Sequence, residues 1–247
     1  IKDAFNERFF NARTNNYLNG SQTNNAFPLY LGMVPEGHED AVLANVVKNI
    51  MEKRDGHLWV GILGTKALVE VLPTHGRADI MYHIATRETF PSWGYMLANG
   101  ATTLWERWGG YKFFDAGMNS LNHIMFGSVD EFFYRDIAGL APAAPGFSEL
   151  VYKPHVLGDL THARAKVETL RGEASSKWHL EGGAIVLTVE VPVNTIGRVH
   201  VPMLGHDAVK VTANGKTVWQ DGQFVSGSAG VTGGSAEDGY VGFEVGS

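Results

Sequence analysis

The 247-residue chain contains no cysteine. That excludes a disulfide scaffold, a thiolate nucleophile and cysteine-ligated zinc. Long apolar runs are also lacking. None reaches the roughly 18 residues of a membrane helix, so no membrane partner is expected. There is no basic run and no interleaving of aromatic with basic residues, so nucleic acid is not expected as a partner either. Charged residues make up only 19% of the chain, and the formal net charge is −6. A mildly acidic surface serves solubility and says little about function. No secretory leader is visible, and the chain begins with Ile1 instead of Met. This start predicts a processed product or one part of a longer protein. Asn19-Gly20-Ser21 fits a glycosylation sequon, a pattern common by chance.

What is present is a hydrophobic content of 44%, enough for a sizeable core, and a change of periodicity along the chain. Up to about residue 140 the apolar spacing is helical. Ala4, Phe5, Phe9 and Phe10 mark a first helix. Asn24-Asn25 can cap a second, which stops near Pro35. Glu39–Lys53 is strongly amphipathic, with Val42, Leu43, Val46, Val47, Ile50 and Met51 on one stripe. Further helices are expected over 62–72, 76–88, 92–99 and 119–137, the last burying Leu121, Ile124, Met125, Val129, Phe132 and Phe133. Helices and Gly- or aromatic-rich loops alternating in this way suit a helical toroid, and an ordinary bundle fits equally well. Ala141-Pro142-Ala143-Ala144-Pro145-Gly146 breaks the pattern, and the period after it is 2. About eight short strands follow, among them Val186–Val191, with turns at Glu181-Gly182-Gly183 and Asn214-Gly215. These read as an antiparallel β-sandwich. Ser226–Glu237, rich in Gly and Ser, is expected to be a mobile loop. The predicted domains are 1–141 and 142–247.

One stretch concentrates chemistry. Residues 90–108 hold Phe90, Trp93, Tyr95, Trp105 and Trp108 around one carboxylate, Glu106, and so contain three of the six tryptophans. Aromatic faces suit the C–H faces of a sugar, and a carboxylate among them can act as general acid or base. The competing reading is a buried helical hairpin with Glu106 paired to Arg107 or another cation.

Pro91-Ser92-Trp93-Gly94-Tyr95-Met96 and Gly100-Ala101-Thr102-Thr103-Leu104-Trp105-Glu106-Arg107-Trp108 resemble a segment of the bacterial and fungal α-L-rhamnosidases of glycoside hydrolase family 78. Gly117–His123 with Phe126-Gly127-Ser128-Val129 resembles the segment that follows it there. Gly20-Ser21-Gln22-Thr23 and Gly61-Ile62-Leu63-Gly64-Thr65 match in the same order. The resemblance runs from the start of the chain to about Ile185. It implies the second half of an (α/α)6 barrel followed by a C-terminal β-sandwich. It also implies hydrolysis of terminal α-L-rhamnosyl residues with inversion, with Glu106 as general base. His123 stands where the family has a sugar-contacting His, although the loop before it, Gly109–Ala116, is shortened. Its alternative is a cap on the helix expected to begin at Asn119. Trp93 and Trp105 are candidates for the sugar wall, with core packing as the alternative. The family's general acid lies in the first half of the barrel, in an acidic segment that this chain does not contain. The chain alone is therefore expected to be incompetent. It would need an N-terminal half or a partner chain, and a rhamnose-containing glycoside or polysaccharide as substrate.

Other polar residues carry less. Gln22 and Thr65 can line the same face, and Trp59 stands at its rim where the family is expected to have a smaller or polar residue. Arg107 reads as a structural ion-pair partner. Gly61–Lys66 faintly resembles a phosphate loop but lacks its ending. His75, Asp79 and His83 have a spacing that permits a metal site, yet exposed helix faces often produce it; no metal and no cofactor are assigned. Two rivals stay open. One is another inverting (α/α)6-barrel glycosidase acting on a different sugar. The other is a non-catalytic carbohydrate-binding subunit, suggested by the missing acid. The compartment is undetermined, with the extracellular or periplasmic space favoured because rhamnose-bearing polymers lie outside cells.

Overall fold

The computed structural model describes residues 1–110, 120–225, 228 and 230–246. The chain divides into two compact units, Ile1–Phe132 and Phe133 onward.

The first unit is helical. Helix α1 (Lys2–Phe9) buries no residue and leads into a two-residue hairpin, β1 (Phe10–Asn11) with β2 (Asn16–Tyr17). Helix α2 (Gln22–Tyr30) is capped by Ser21, whose hydroxyl accepts the Asn24 N–H. The cap therefore lies before Asn24-Asn25. The Asn25 side chain is spent elsewhere, accepting the Tyr17 N–H at 2.9 Å and donating to Asn16. Helix α3 (Glu39–Lys48) continues into a π-helical turn, Asn49–Lys53, and its stripe buries Val42, Leu43 and Val46 as the spacing predicts. Helix α4 (Ile62–Thr74) is the centre of the unit, packing against α2, against α5 (Ala78–Ala85) and against residues 124–132. Its close approach to α2 requires glycine at position 64. A Cβ there would lie 2.5 Å from the Thr23 hydroxyl and 2.8 Å from Val60 Cβ. Helix α6 (Trp93–Ala98) is short.

No single helix fills the region predicted over 119–137. Residue 119 lies outside the described residues. The rest is a 3-10 turn (Ile124–Ser128), one turn of α7 (Val129–Phe132) and a π turn (Phe133–Ile137). Ile124 is 81% exposed and Phe133 42% exposed, so the expected buried stripe is only partly formed. Three helical radii in succession rotate the side chains away from one face.

The second unit is built of sheets. The strands are β3 (Leu140–Pro142), β4 (Glu149–Tyr152), β5 (His162–Thr169), β6 (Gly172–Glu181), β7 (Ala184–Glu190), β8 (Ile196–Pro202), β9 (Val211–Ala213), β10 (Lys216–Gln220), β11 (Gln223–Phe224), β12 (Val231–Glu237) and β13 (Tyr240–Gly246). The sheet orders are β5-β6-β7, β12-β13-β8-β4-β3 and β11-β10-β9. Strands β4 and β8 run parallel, so the central sheet is mixed where antiparallel pairing is predicted throughout. Tyr152, Leu150, Ala174 and Val199 form one core cluster; Trp219, Val218, Val241 and Phe243 form another.

The Gly- and Ser-rich stretch needs a correction. Val231–Glu237 is strand β12, not part of a mobile loop; residues 226, 227 and 229 of that stretch lie outside the described residues. The missed signal is Asp238-Gly239. Both residues have positive φ, and Glu237 pairs with Tyr240 across them, which makes a two-residue hairpin turn. Residues 137 and 138 are tied to the sheets. The Ala138 carbonyl accepts the Ser176 hydroxyl at 2.6 Å, and the Ile137 carbonyl accepts the Trp178 indole N–H at 2.8 Å. Residues 133–141 thus belong to the same compact unit as the strands.

Candidate active site

The Glu106 segment is entered through α6. Ser92 caps this helix by accepting the Tyr95 N–H at 2.9 Å, and Gly100, at φ +83°, ends it as the Ala101 N–H turns back to Met96 O. Residues 101–109 are irregular chain with turns and bends, not the second arm of a helical hairpin. Trp105 and Trp108 have helical spacing, but each indole is buried by a different part of the chain. Trp108 stacks on Phe126 with ring centroids 3.9 Å apart, meets Trp93 edge to face at 5.1 Å, and donates its indole N–H to Val60 O at 2.8 Å. The Trp105 ring lies against Gly110, where a Cβ would come within 2.4 Å of it. Trp93 donates to Phe126 O at 3.0 Å.

Hydrogen bonds lay residues 103–106 alongside 120–123. The His123 N–H donates to Leu104 O at 2.8 Å, the Glu106 N–H donates to Ser120 O at 2.9 Å, and the Thr103 hydroxyl donates to Leu121 O. The Ser120 N–H then donates to Glu106 Oε2 at 2.9 Å. Two segments that sequence spacing separates by 17 residues are thus held side by side. Glu106 is half-buried, and among the described residues it makes no ion pair with Arg107, which is exposed. His123 is half-buried too, and its Nδ1 faces the Met125 N–H at 3.5 Å, at the start of the 3-10 turn. The imidazole therefore has a capping contact on one nitrogen. Trp93 and Trp105 are 9% and 5% exposed, so both indoles are packed into the core and present little open face. Gly117, Met118 and Asn119, part of the stretch that suggested His123, lie outside the described residues. Ser120, the donor to Glu106, was not singled out from the sequence, because a backbone N–H leaves no residue-type signal.

Gln22 and Thr65 do not line this face. Gln22 is 1% exposed and saturated: Oε1 accepts the Trp59 N–H at 2.8 Å, and Nε2 donates to His57 O and Asn49 Oδ1. Thr65 donates to Gly61 O within α4, and Lys66 pairs with Glu70 and Glu131 at 2.5 Å each. The Gly61–Lys66 stretch is therefore structural. His75, Asp79 and His83 do not converge. Asp79 is paired to Arg77, whose hydrogen bond holds its carboxyl below the usual range, while His75 Nδ1 contacts Val71 O.

A helical unit followed by a β-sheet unit, with an oriented, half-buried carboxylate in a tryptophan-rich segment, fits the class of glycoside hydrolases. Comparison with known proteins is specific about which. Residues 1–137 match the bacterial α-L-rhamnosidase six-hairpin glycosidase domain, and residues 139–216 match the bacterial α-L-rhamnosidase C-terminal domain. The chain belongs to the bacterial α-L-rhamnosidase family. An α-L-rhamnosidase of Streptomyces avermitilis is 39% identical over 233 residues, which is 91% of this chain and 21% of that protein. The solved α-L-rhamnosidase of Dictyoglumus thermophilum superposes with a TM-score of 0.89 at 37% identity, covering all of this chain and 27% of its own. The S. avermitilis structure, complexed with L-rhamnose, gives 0.85 at 34% identity, covering 100% and 22%. The chain therefore spans about a fifth to a quarter of the length of these relatives.

Proposed function

We propose that this chain supplies the general base of an α-L-rhamnosidase, and that the complete protein hydrolyses terminal α-L-rhamnosyl residues from glycosides or polysaccharides with inversion. The observation that carries this reading is the setting of Glu106. Its Oε2 is fixed by the Ser120 N–H, and Oε1 takes no hydrogen bond among the described residues. A carboxylate oriented through one oxygen and open at the other can take a proton from the attacking water. The bound L-rhamnose of the S. avermitilis relative supports rhamnose as the sugar. His123, capping through Nδ1, offers Nε2 to a sugar hydroxyl. Trp105 and Trp93 form the aromatic floor under the ring. The general acid comes from the remainder of the catalytic barrel, of which residues 1–141 would be the second half, or from a partner chain. Inversion needs about 6.5–9.5 Å between the two carboxyl groups, room for one water. The second unit would be the accompanying β-sandwich, and no cofactor takes part.

The test uses the complete protein and a panel of nitrophenyl glycosides. Release from the α-L-rhamnoside is expected, with β-L-rhamnose as the first product by NMR. Glu106→Gln should lower kcat by about 10²–10⁴-fold. Activity on a glucoside with none on the rhamnoside would replace rhamnose by another sugar. Rhamnose binding with turnover unchanged in Glu106→Gln would favour a non-catalytic subunit.

A further inference from the structure

Five of the six tryptophans are buried, whereas Trp59 is 52% exposed. Single exposed apolar residues are ordinary, so exposure alone says little. Trp59 differs because it is held in place. Its backbone N–H is pinned by buried Gln22, which also holds the His57 carbonyl. The His57 ring is itself fixed between Arg54 O at 3.0 Å and the Thr89 hydroxyl at 2.8 Å. The Arg54 guanidinium lies over the Trp59 indole, 4.3 Å from the ring centroid. Phe90 stands almost perpendicular to the indole, at 86° and 6.4 Å, and is braced in turn by Tyr95 at 5.3 Å. An exposed indole is thus immobilised at its backbone and its ring before any ligand arrives, which lowers the entropic cost of binding.

The position of this corner matters as much as its rigidity. Val60, next in the chain, accepts the Trp108 indole N–H at 2.8 Å. Trp108 lies two residues beyond Glu106, so their Cα atoms are at most about 7 Å apart. Phe90 and Tyr95 flank Trp93, which packs on Trp108. The exposed corner and the Glu106 segment are therefore tied together by the Val60–Trp108 hydrogen bond and by the short stretch of chain that carries Phe90, Trp93 and Tyr95.

We propose that Trp59, Arg54 and Phe90 form the subsite for the leaving-group side of the substrate, and that its occupant is a pyranose, the sugar unit to which the rhamnosyl residue is attached. This rests on the rhamnosidase reading above. Two aromatic planes at right angles suit a ring with C–H bonds on its faces as well as its edge. A pyranose has both; a planar aryl ring can also pack on one plane and meet the other by its edge, but it lacks the rim of hydroxyls that a pyranose brings. Arg54 supplies N–H donors beside the indole, which match the hydroxyls at the rim of a sugar.

The test compares the complete protein with its Trp59→Ala and Trp59→Phe variants on a rhamnosyl-glucose disaccharide and on nitrophenyl α-L-rhamnoside. In Trp59→Ala the ratio of kcat/KM for the disaccharide to that for the nitrophenyl rhamnoside should fall about tenfold, chiefly through KM, and Trp59→Phe should recover much of it. An unchanged ratio overturns the proposal. A ratio that rises, because the aryl substrate suffers more, also overturns it and assigns the corner to planar aglycones. If the unaltered protein hydrolyses neither substrate, the functional reading fails separately. The subsite is then decided by titrating the disaccharide against tryptophan fluorescence. A change lost in Trp59→Ala supports it, and no change in the unaltered protein overturns it.

Discussion

At the scale of single residues, Trp93 and Trp108 are each fixed by an indole hydrogen bond and by ring packing, Trp105 lies against Gly110, and these anchors set where Glu106 stands. Trp108 shows the weight of this. Replacing it by Phe keeps a ring to stack on Phe126 but leaves the buried Val60 carbonyl without its donor. An unsatisfied buried acceptor costs about 1–3 kcal/mol, and Trp108→Phe should lose that much in denaturant unfolding. A loss near zero would mean that water reaches the carbonyl. The sequence was legible here in part. Glu106 and His123 stood out by residue type and context. Their adjacency did not, because it depends on the hydrogen bonds of 103–106 with 120–123. Trp59 stood out as unusual, but its fixation by Arg54 and Phe90 involves residues 5 and 31 positions away with no shared pattern.

At the scale of elements, local rules worked where local forces decide. Asn214-Gly215 and Gly182-Gly183 turn strands because both residues of each pair adopt positive φ, a conformation these residue types tolerate. Asp238-Gly239 obeys the same rule and identifies β12 despite its Gly and Ser content. Helices α3 and α4 follow their apolar period. The rule fails at 101–109, where helical spacing of tryptophans arises from separate tertiary anchors. Within the second unit, Gly139 is the sharpest point. It has φ +74°, and a Cβ there would lie 2.2 Å from the Pro154 nitrogen. Gly139→Ala should destabilise by more than about 2 kcal/mol, the left-handed conformation and the overlap both contributing. The urea midpoint should fall with little change in slope. A midpoint within error of the original would show that the 153–154 backbone yields.

At the scale of the whole molecule, the second unit carries a pH dependence. His155 is held below the usual histidine range by burial first, then by Lys153 and Arg135, against the raising effect of the Asp136 carbonyl. His200 is lowered by burial first, then by Lys153 and Arg198, with Glu237 opposing. Above the unfolded value of about 6.5 both states are neutral and stability is full. As pH falls below it, the unfolded chain takes up protons that the folded chain resists, and stability is lost. Melting temperature should therefore be level from pH 8 to 7 and decline below about 6.5. The double variant His155→Gln/His200→Gln should show a shallower decline. An identical slope would place the acid sensitivity elsewhere.

The sequence by itself determined the order of a helical and a β-sheet region, the family and the carboxylate to examine. Each of these is written in local period, turn chemistry or contiguous residue strings. Tertiary structure alone decided the parallel pairing of β4 with β8, the passage of 133–141 to the sheet unit, the irregular path of 101–109, and the fixed, exposed face of Trp59. All four depend on contacts between residues far apart in the chain. Buried backbone groups there must find partners wherever packing permits, and no local pattern records which partner is found.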